Sequence, residues 1–279
     1  MRVIQQKHID LFKEYLIEEE KSDLTVEKYI RDITVFKNWC NNVQISKNLV
    51  LEYKRNLINN YAPASVNSVL SSLNSFFVFN NWYDLKVKTL KIQKKIFMEK
   101  EKELTKSEYQ RLLTAAQRKK NKRLYYLMQT ICSCGIRVSE LSFITVEALK
   151  NKKADIRCKG KLRVVFLPKE LCKMLTKYIN EQKIQSGPIF VTRNGKPIDR
   201  STIWKMMKAL CKITGIDKCK VFPHNLRHLF ARTYYCIQKD IVRLADILGH
   251  SNINTTRIYT METGEIHNRQ IQKLGLLRI

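Results

Sequence analysis

Apolar residues recur at helical spacing through most of the first 85 residues. Ile9, Phe12 and Leu16 share one face of a segment at 8–20, and Tyr29, Ile33 and Phe36 do so at 24–40, which opens with T-V-E-K at Thr25. The pattern continues at 48–59 (NLVLEYKRNLIN) and at 65–82, where Pro63 precedes Ser65, the expected cap. Four amphipathic helices joined by short loops predict a small helical bundle. From residue 105 the pattern is mixed. T-K-S-E at 105–108 has the form of a capping box at the head of a helix reaching Arg118, and 124–134 is apolar on nearly all sides, as a core helix is. Short β-prone runs at 154–158 and 163–167 flank K-G-K-L and predict a hairpin turning at Gly160. The run at 189–192, ahead of R-N-G-K, predicts a further strand with a tight connection. Helices return at 201–214, stopped by Gly215, at 223–238, at 241–248, stopped by Gly249, and at about 262–274. The fold class that follows is mainly α with a small β-sheet or hairpins: a four-helix domain at 1–85, a linker at 86–102 and a mixed α+β domain at 103–279.

A length of 279 residues leaves room for two domains with separate cores. With 44% hydrophobic and 28% charged residues the composition is globular, and a net charge of +27 calls for a polyanion or an acidic membrane surface as partner. A membrane span is not expected. The most apolar stretch, LYYLMQTICSCGI at 124–136, is shorter than the roughly 20 residues a bilayer needs and contains Gln129, Thr130 and Ser133. The opening MRVIQQKHIDLF lacks the apolar region of a signal peptide, which points to the cytoplasm. The basic excess is not uniform. Residues 1–85 hold ten Lys/Arg and ten Asp/Glu, whereas 86–279 hold 42 against 15 and carry the whole surplus. The change begins at 86–100, with six Lys, one Glu and no amphipathic period, which reads as a linker either solvated or laid along phosphates. Eight cysteines form no C-x-x-C pair, so reduced and mostly buried thiols are expected rather than disulfides or zinc.

A cation beside a core is costly unless an anion meets it, and several sit there. Arg137 follows the apolar helix and Gly135, with Glu140 one helical turn on, able to orient its guanidinium; a structural salt bridge is the plainer reading. His224 and Arg227, at i and i+3 from Pro223, project from one helix face and suit an anion such as phosphate. His228 lies at i+4 from His224 and competes for its role. Zinc held by His224 and His228 is the rival reading, without an H-E-x-x-H pattern to support it. His250 stands at a helix stop, and Tyr259 lies nine residues later on a threonine-rich segment expected to be helical. A phenol of pKa near 10 is a poor nucleophile until cations and hydrogen bonds stabilise its phenolate, which two arginines and two histidines would do.

GIRVSEL, CKGKLRVVFLP, HNLRHLFART and LGHSNINTTRIYT resemble, in that order, the signature boxes of the tyrosine recombinase (phage integrase) family. The stretch YAPASVNSVLSSLNSFFVF and its helical surroundings resemble that family's SAM-like core-binding domain, and residues from about 103 its catalytic domain. The resemblance implies a C-shaped clamp on double-stranded DNA and catalytic roles for Arg137, Lys159, His224, Arg227, His250 and the nucleophile Tyr259, with Glu140 in support. Lys161 is the neighbouring candidate should the hairpin register shift, and Cys158 stands where the family commonly has glycine. No metal and no cofactor is implied. The implied reaction is strand exchange through a 3′-phosphotyrosyl bond, on inverted half-sites, by a homotetramer or with a related recombinase, with accessory directionality factors possible partners, at the nucleoid. An additional arm-binding domain has no room ahead of helices that start by residue 8. The last helix would dock either on its own domain or on a neighbour. Against this reading stand a type IB topoisomerase, which relaxes DNA without exchanging strands, and a DNA-binding protein of the same fold that has lost the reaction.

Overall fold

The structure, a computed structural model, describes residues 2–41, 43–92, 100–158, 161–192, 194–260 and 272–273. Lys159, Gly160 and most of the helix expected at 262–274 lie outside the described residues. The chain forms two compact units, residues 1–94 and 95–279.

The first unit holds helices α1 (Gln6–Glu18), α2 (Asp23–Cys40), α3 (Lys47–Asn60) and α4 (Pro63–Phe79). Their apolar stripes close on Phe12, Phe36, Phe76 and Phe77, all fully buried, and each such ring contributes roughly 1.5–3 kcal/mol. Two starts differ from expectation. Helix α2 opens after Ser22 rather than at Thr25, and α4 starts at Pro63, so Ser65 lies inside its first turn. Proline suits that position because the N–H it lacks would have no helical partner there.

Residues 86–90, expected to belong to a linker, are bound to this unit. Val87 is buried in its core. The Asn74 side chain accepts from the Val87 N–H at 2.9 Å and donates to its carbonyl at 2.8 Å, and Asn67 does the same for Leu90 at 2.7 and 2.9 Å. An amide side chain offers a donor and an acceptor side by side, so two asparagines seven apart on α4 stand in for a neighbouring strand. Lys28 joins α2 to α4: its Nζ pairs with buried Asp32 at 2.6 Å and reaches Ser72 Oγ at 2.8 Å.

The second unit contains α5 (Lys106–Arg118), α6 (Lys122–Cys134), α7 (Val146–Lys150), the antiparallel hairpin β1 (Lys153–Cys158) and β2 (Lys161–Phe166), then α8 (Lys169–Gln182), α9 (Arg200–Thr214), α10 (Pro223–Gln238) and α11 (Ile241–Leu248). The capping box forms as expected: Glu108 N–H donates to Thr105 Oγ1 at 3.2 Å, and Thr105 N–H to Glu108 Oε2 at 2.8 Å. Hairpin register pairs Lys153 with Phe166 and Cys158 with Lys161. The strand expected at 189–192 does not form. That region makes only isolated bridges, Thr145 to Pro188 and Val191 to Pro197, and a proline in each has no N–H with which to extend a ladder. Among the described cysteines Cys40, Cys134, Cys172 and Cys211 are buried, Cys132 is half-buried, and Cys219 and Cys236 are exposed. No helix among the described residues is long and apolar enough to cross a membrane.

Candidate active site

Helix α6 stops at Gly135, where φ is 62° and a Cβ would run into the Phe230 ring of α10, so both backbone and packing demand glycine. That turn delivers Arg137 to the head of a short 3₁₀ segment, Val138–Phe143, rather than an α-helix. Glu140 on this segment is 1% exposed and draws three arginines to itself. Arg137 donates to it twice, from the backbone at 2.7 Å and from Nη1 at 2.8 Å. Arg163 Nη2, from β2, donates at 2.6 Å, and Arg227 Nη1 lies 4.0 Å away. Burial opposes ionisation of Glu140, but the bonds from Arg137 and Arg163 hold its carboxyl below the usual range.

Arg227, on α10, is 1% exposed. Its Nη1 donates to the Gly135 carbonyl at 2.7 Å and its Nη2 to the Leu248 carbonyl at 2.8 Å. The ends of α6 and α11 therefore turn their partial negative charge on this cation, which offsets its desolvation. Burial, then the Arg137 charge, lowers its pKa to about 10, so it stays charged at neutral pH. Nη2 also lies 3.0 Å from His250 Nε2. Guanidinium only donates, so Nε2 accepts, Nδ1 carries the ring proton, and that proton goes to Thr256 Oγ1 at 2.9 Å. Burial and the three arginines push His250 down to about 4, leaving it neutral.

Tyr259 ends a pair of 3₁₀ turns, Ile253–Thr255 and Arg257–Tyr259, where a helix was expected. Asparagine there bonds the local backbone, as Asn252 Oδ1 does with the Asn254 N–H at 2.9 Å, and that competes with helix. The phenol is 4% exposed, packed on Ala231, Leu244 and Leu248. The His228 ring meets it edge-on at 5.1 Å, and the His250 ring lies parallel at 6.4 Å. Burial raises the Tyr259 pKa while Arg227 and Arg137 pull against it, so the resting group is a neutral phenol.

His224 stands at the exposed start of α10, its ring 4.5 Å from that of His228. Burial and the charges of Arg227, Arg137 and Arg200 lower its pKa; burial and the neighbouring His224 push His228 to about 4. Two clefts flank Arg137 and Ser139. One of about 690 Å³ runs past Arg163 to Gly249 and His250, and one of about 480 Å³ runs past Arg200 and Trp204 to His224 and Arg227.

Arg137, Glu140, Arg227, His250 and Tyr259 thus converge, His224 stands at the rim, and Lys159 is outside the described residues. Among the described residues no three His, Cys, Asp or Glu side chains come together as a metal would require. Sequence reasoning missed Arg163 and Thr256. A lone arginine in the apolar run L-R-V-V-F was the one available signal for the first; the second has none.

The family model for the phage integrase family matches residues 102–265, and that for the phage integrase N-terminal SAM-like domain matches residues 9–82. A tyrosine recombinase XerA of Thermococcus kodakarensis is 30% identical over 96% of this chain and 95% of its own length. A tyrosine recombinase XerA of Pyrococcus horikoshii is 27% identical over 99% of this chain and 96% of its own. In fold, the chain is similar to a lambda integrase (75-356) dimer bound to a COC′ core site, with a TM-score of 0.75 at 17% identity over 91% of this chain and 94% of that one.

Proposed function

We propose that this chain, which belongs to the phage integrase family, is a site-specific tyrosine recombinase that cuts and rejoins DNA strands through a 3′-phosphotyrosyl intermediate. The Tyr259 oxygen attacks the scissile phosphorus, the bond to the 5′-oxygen breaks, and the leaving oxygen takes a proton from Lys159. The phosphodiester energy is kept in the tyrosyl bond, so a 5′-hydroxyl from another strand can reverse the step and complete an exchange.

The phosphoryl transition state gathers negative charge on its non-bridging oxygens, and a fixed cation costs no reorganisation when that charge appears. Arg137 and Arg227 form this clamp, with His224 and His250 donating to the phosphate or handling the phenol proton. The neutral histidines and neutral Tyr259 describe the state before DNA arrives. A bound phosphate offsets the arginine field that depresses the histidines, so their pKa values rise on binding and proton transfer becomes easier.

The observation that carries this reading is a single buried tyrosine enclosed by Arg227, His250 and His228 beside a glutamate that holds Arg137. The surplus of +27 supplies a grip on the backbone that weakens steeply with salt. The first unit, which takes in residues 86–90, and the domain from about 103, joined by the rest of the basic segment at 91–102, would close as a clamp on inverted half-sites, in a tetramer on two synapsed sites, acting at the nucleoid in the cytoplasm. The test is a nicked duplex, carrying a candidate site from beside the gene, that traps the covalent state. Wild type should yield a 3′-linked adduct on a denaturing gel, in chelator as well, and Tyr259→Phe none. Tight binding without an adduct from wild type would leave a DNA-binding protein of the same fold.

A further inference from the structure

Arg163 lies in the hairpin box C-K-G-K-L-R but is given no role by the resemblance, yet it touches three parts of the site at once. From β2, where it pairs with Ile156, it reaches Glu140 through Nη2 at 2.6 Å and the Ile247 carbonyl, one residue before the end of α11, through Nη1. Its aliphatic stem lies over Gly249, where a Cβ would fall 2.5 Å from Arg163 Cδ. Gly249 therefore needs to be glycine twice over, for its φ of 65° and for this stem. The side chain is 14% exposed and lines the larger cleft with Arg137 and His250.

Charge makes the arrangement meaningful. Glu140 is one anion among three arginines. Without Arg163, both of its oxygens would be free to pair with Arg137 and Arg227, and a carboxylate paired that way cancels the charge meant for the phosphate. With Arg163 bonded to Oε2, Glu140 orients Arg137 through Oε1 and leaves it a net cation. The second bond, to Ile247, ties the same guanidinium to the turn that carries His250.

We propose, resting on the recombinase reading above, that Arg163 is a positioning residue that offsets the charge of Glu140, so that the Arg137 cation stays available to the scissile phosphate and aimed at it, and that fixes the His250 turn. It acts through Glu140 and the end of α11 and need not touch DNA.

The experiment compares single-turnover strand cleavage by the full chain on an ordinary duplex and on one whose scissile phosphate is a methylphosphonate. Replacing a non-bridging oxygen by methyl removes the charge that the clamp stabilises, so a defect in the clamp shrinks there, whereas a general loss of structure affects both substrates equally. Arg163→Ala should cut the phosphate duplex about 10²-fold more slowly, as expected when a reacting group is misplaced by about 1 Å, with affinity changed less than threefold. On the methylphosphonate the deficit should fall below tenfold, as it should for Arg137→Ala. Arg163→Lys keeps a cation beside Glu140 but lacks the fork to span both partners, and should fall between wild type and Arg163→Ala; it also carries the test if the alanine variant does not fold. An equal deficit on both substrates, or no deficit on phosphate, overturns the assignment. Wild type that cuts neither duplex would instead defeat the recombinase reading itself.

Discussion

The two units each bury a carboxylate, and they treat it differently. In the first, Asp32 is met by one cation, Lys28 at 2.6 Å, and one hydroxyl, Ser72 at 2.8 Å. Charge balances, and the network joins α2 to α4. In the second, Glu140 is met by Arg137 and Arg163 with Arg227 at 4.0 Å, so the cluster retains a surplus of positive charge. A balanced buried pair needs nothing further, but a surplus of buried cations is destabilising until an anion arrives. The comparison teaches that the ratio of charges around a buried acid separates a structural bridge from a site.

Removing the acid tests this most severely. Glu140→Gln leaves three arginines facing one another and should cost about 3–5 kcal/mol in denaturant unfolding, with strand cleavage lost. Cleavage at the wild-type rate would show that the acid does not hold the clamp. The histidines provide the next contrast, because His228 titrates near 4 when folded against about 6.5 when unfolded. Its contribution is complete above pH 6.5 and lost as pH falls towards 4, since the unfolded chain binds the extra proton. His228 alone should account for a loss of up to about 3 kcal/mol across that window, and because His250 is also lowered to about 4, His228→Gln should make the profile shallower without removing it. A pH-independent melting temperature from 7 to 4.5 would contradict the burial.

In the balanced network the effect should be smaller. Asp32→Asn keeps the shape and loses one ion pair, costing about 1–2 kcal/mol, with no change in the cleavage rate once DNA is saturating. A cost equal to that of Glu140→Gln would erase the distinction between the units. Similar in size but narrowest in reach is Asn74→Ala, which removes two hydrogen bonds to Val87 for about 1–2 kcal/mol. It should also raise amide exchange at Val87 selectively; unchanged exchange there would mean that buried Val87 alone holds the segment.

Helices α10 and α11 were legible to the residue because their ends are written locally, by Pro223 at one start and Gly249 at the other stop. The four family boxes were legible for a related reason: each is a short run whose residues act together. Less was readable wherever the deciding partner is distant. Residues 86–90 look like linker by composition, and only the asparagines of α4 make them part of a domain. The run at 189–192 has strand composition, but prolines 188 and 197 prevent a ladder. Tyr259 looked helical by neighbourhood, and local side-chain bonds with its own backbone produced turns instead.

The sequence by itself determined the two units and the family, and it named Arg137, Glu140, Arg227, His250 and Tyr259, which the fold brings together, because periodicity, charge and helix ends are properties of neighbouring residues. The tertiary structure alone decided that Arg163 shares Glu140 with Arg137, that the histidines rest neutral and that Tyr259 is buried. Those states depend on desolvation and on charges brought within a few ångströms from residues as far as 92 positions apart, as Gly135 and Arg227 are, and no local pattern records such distances.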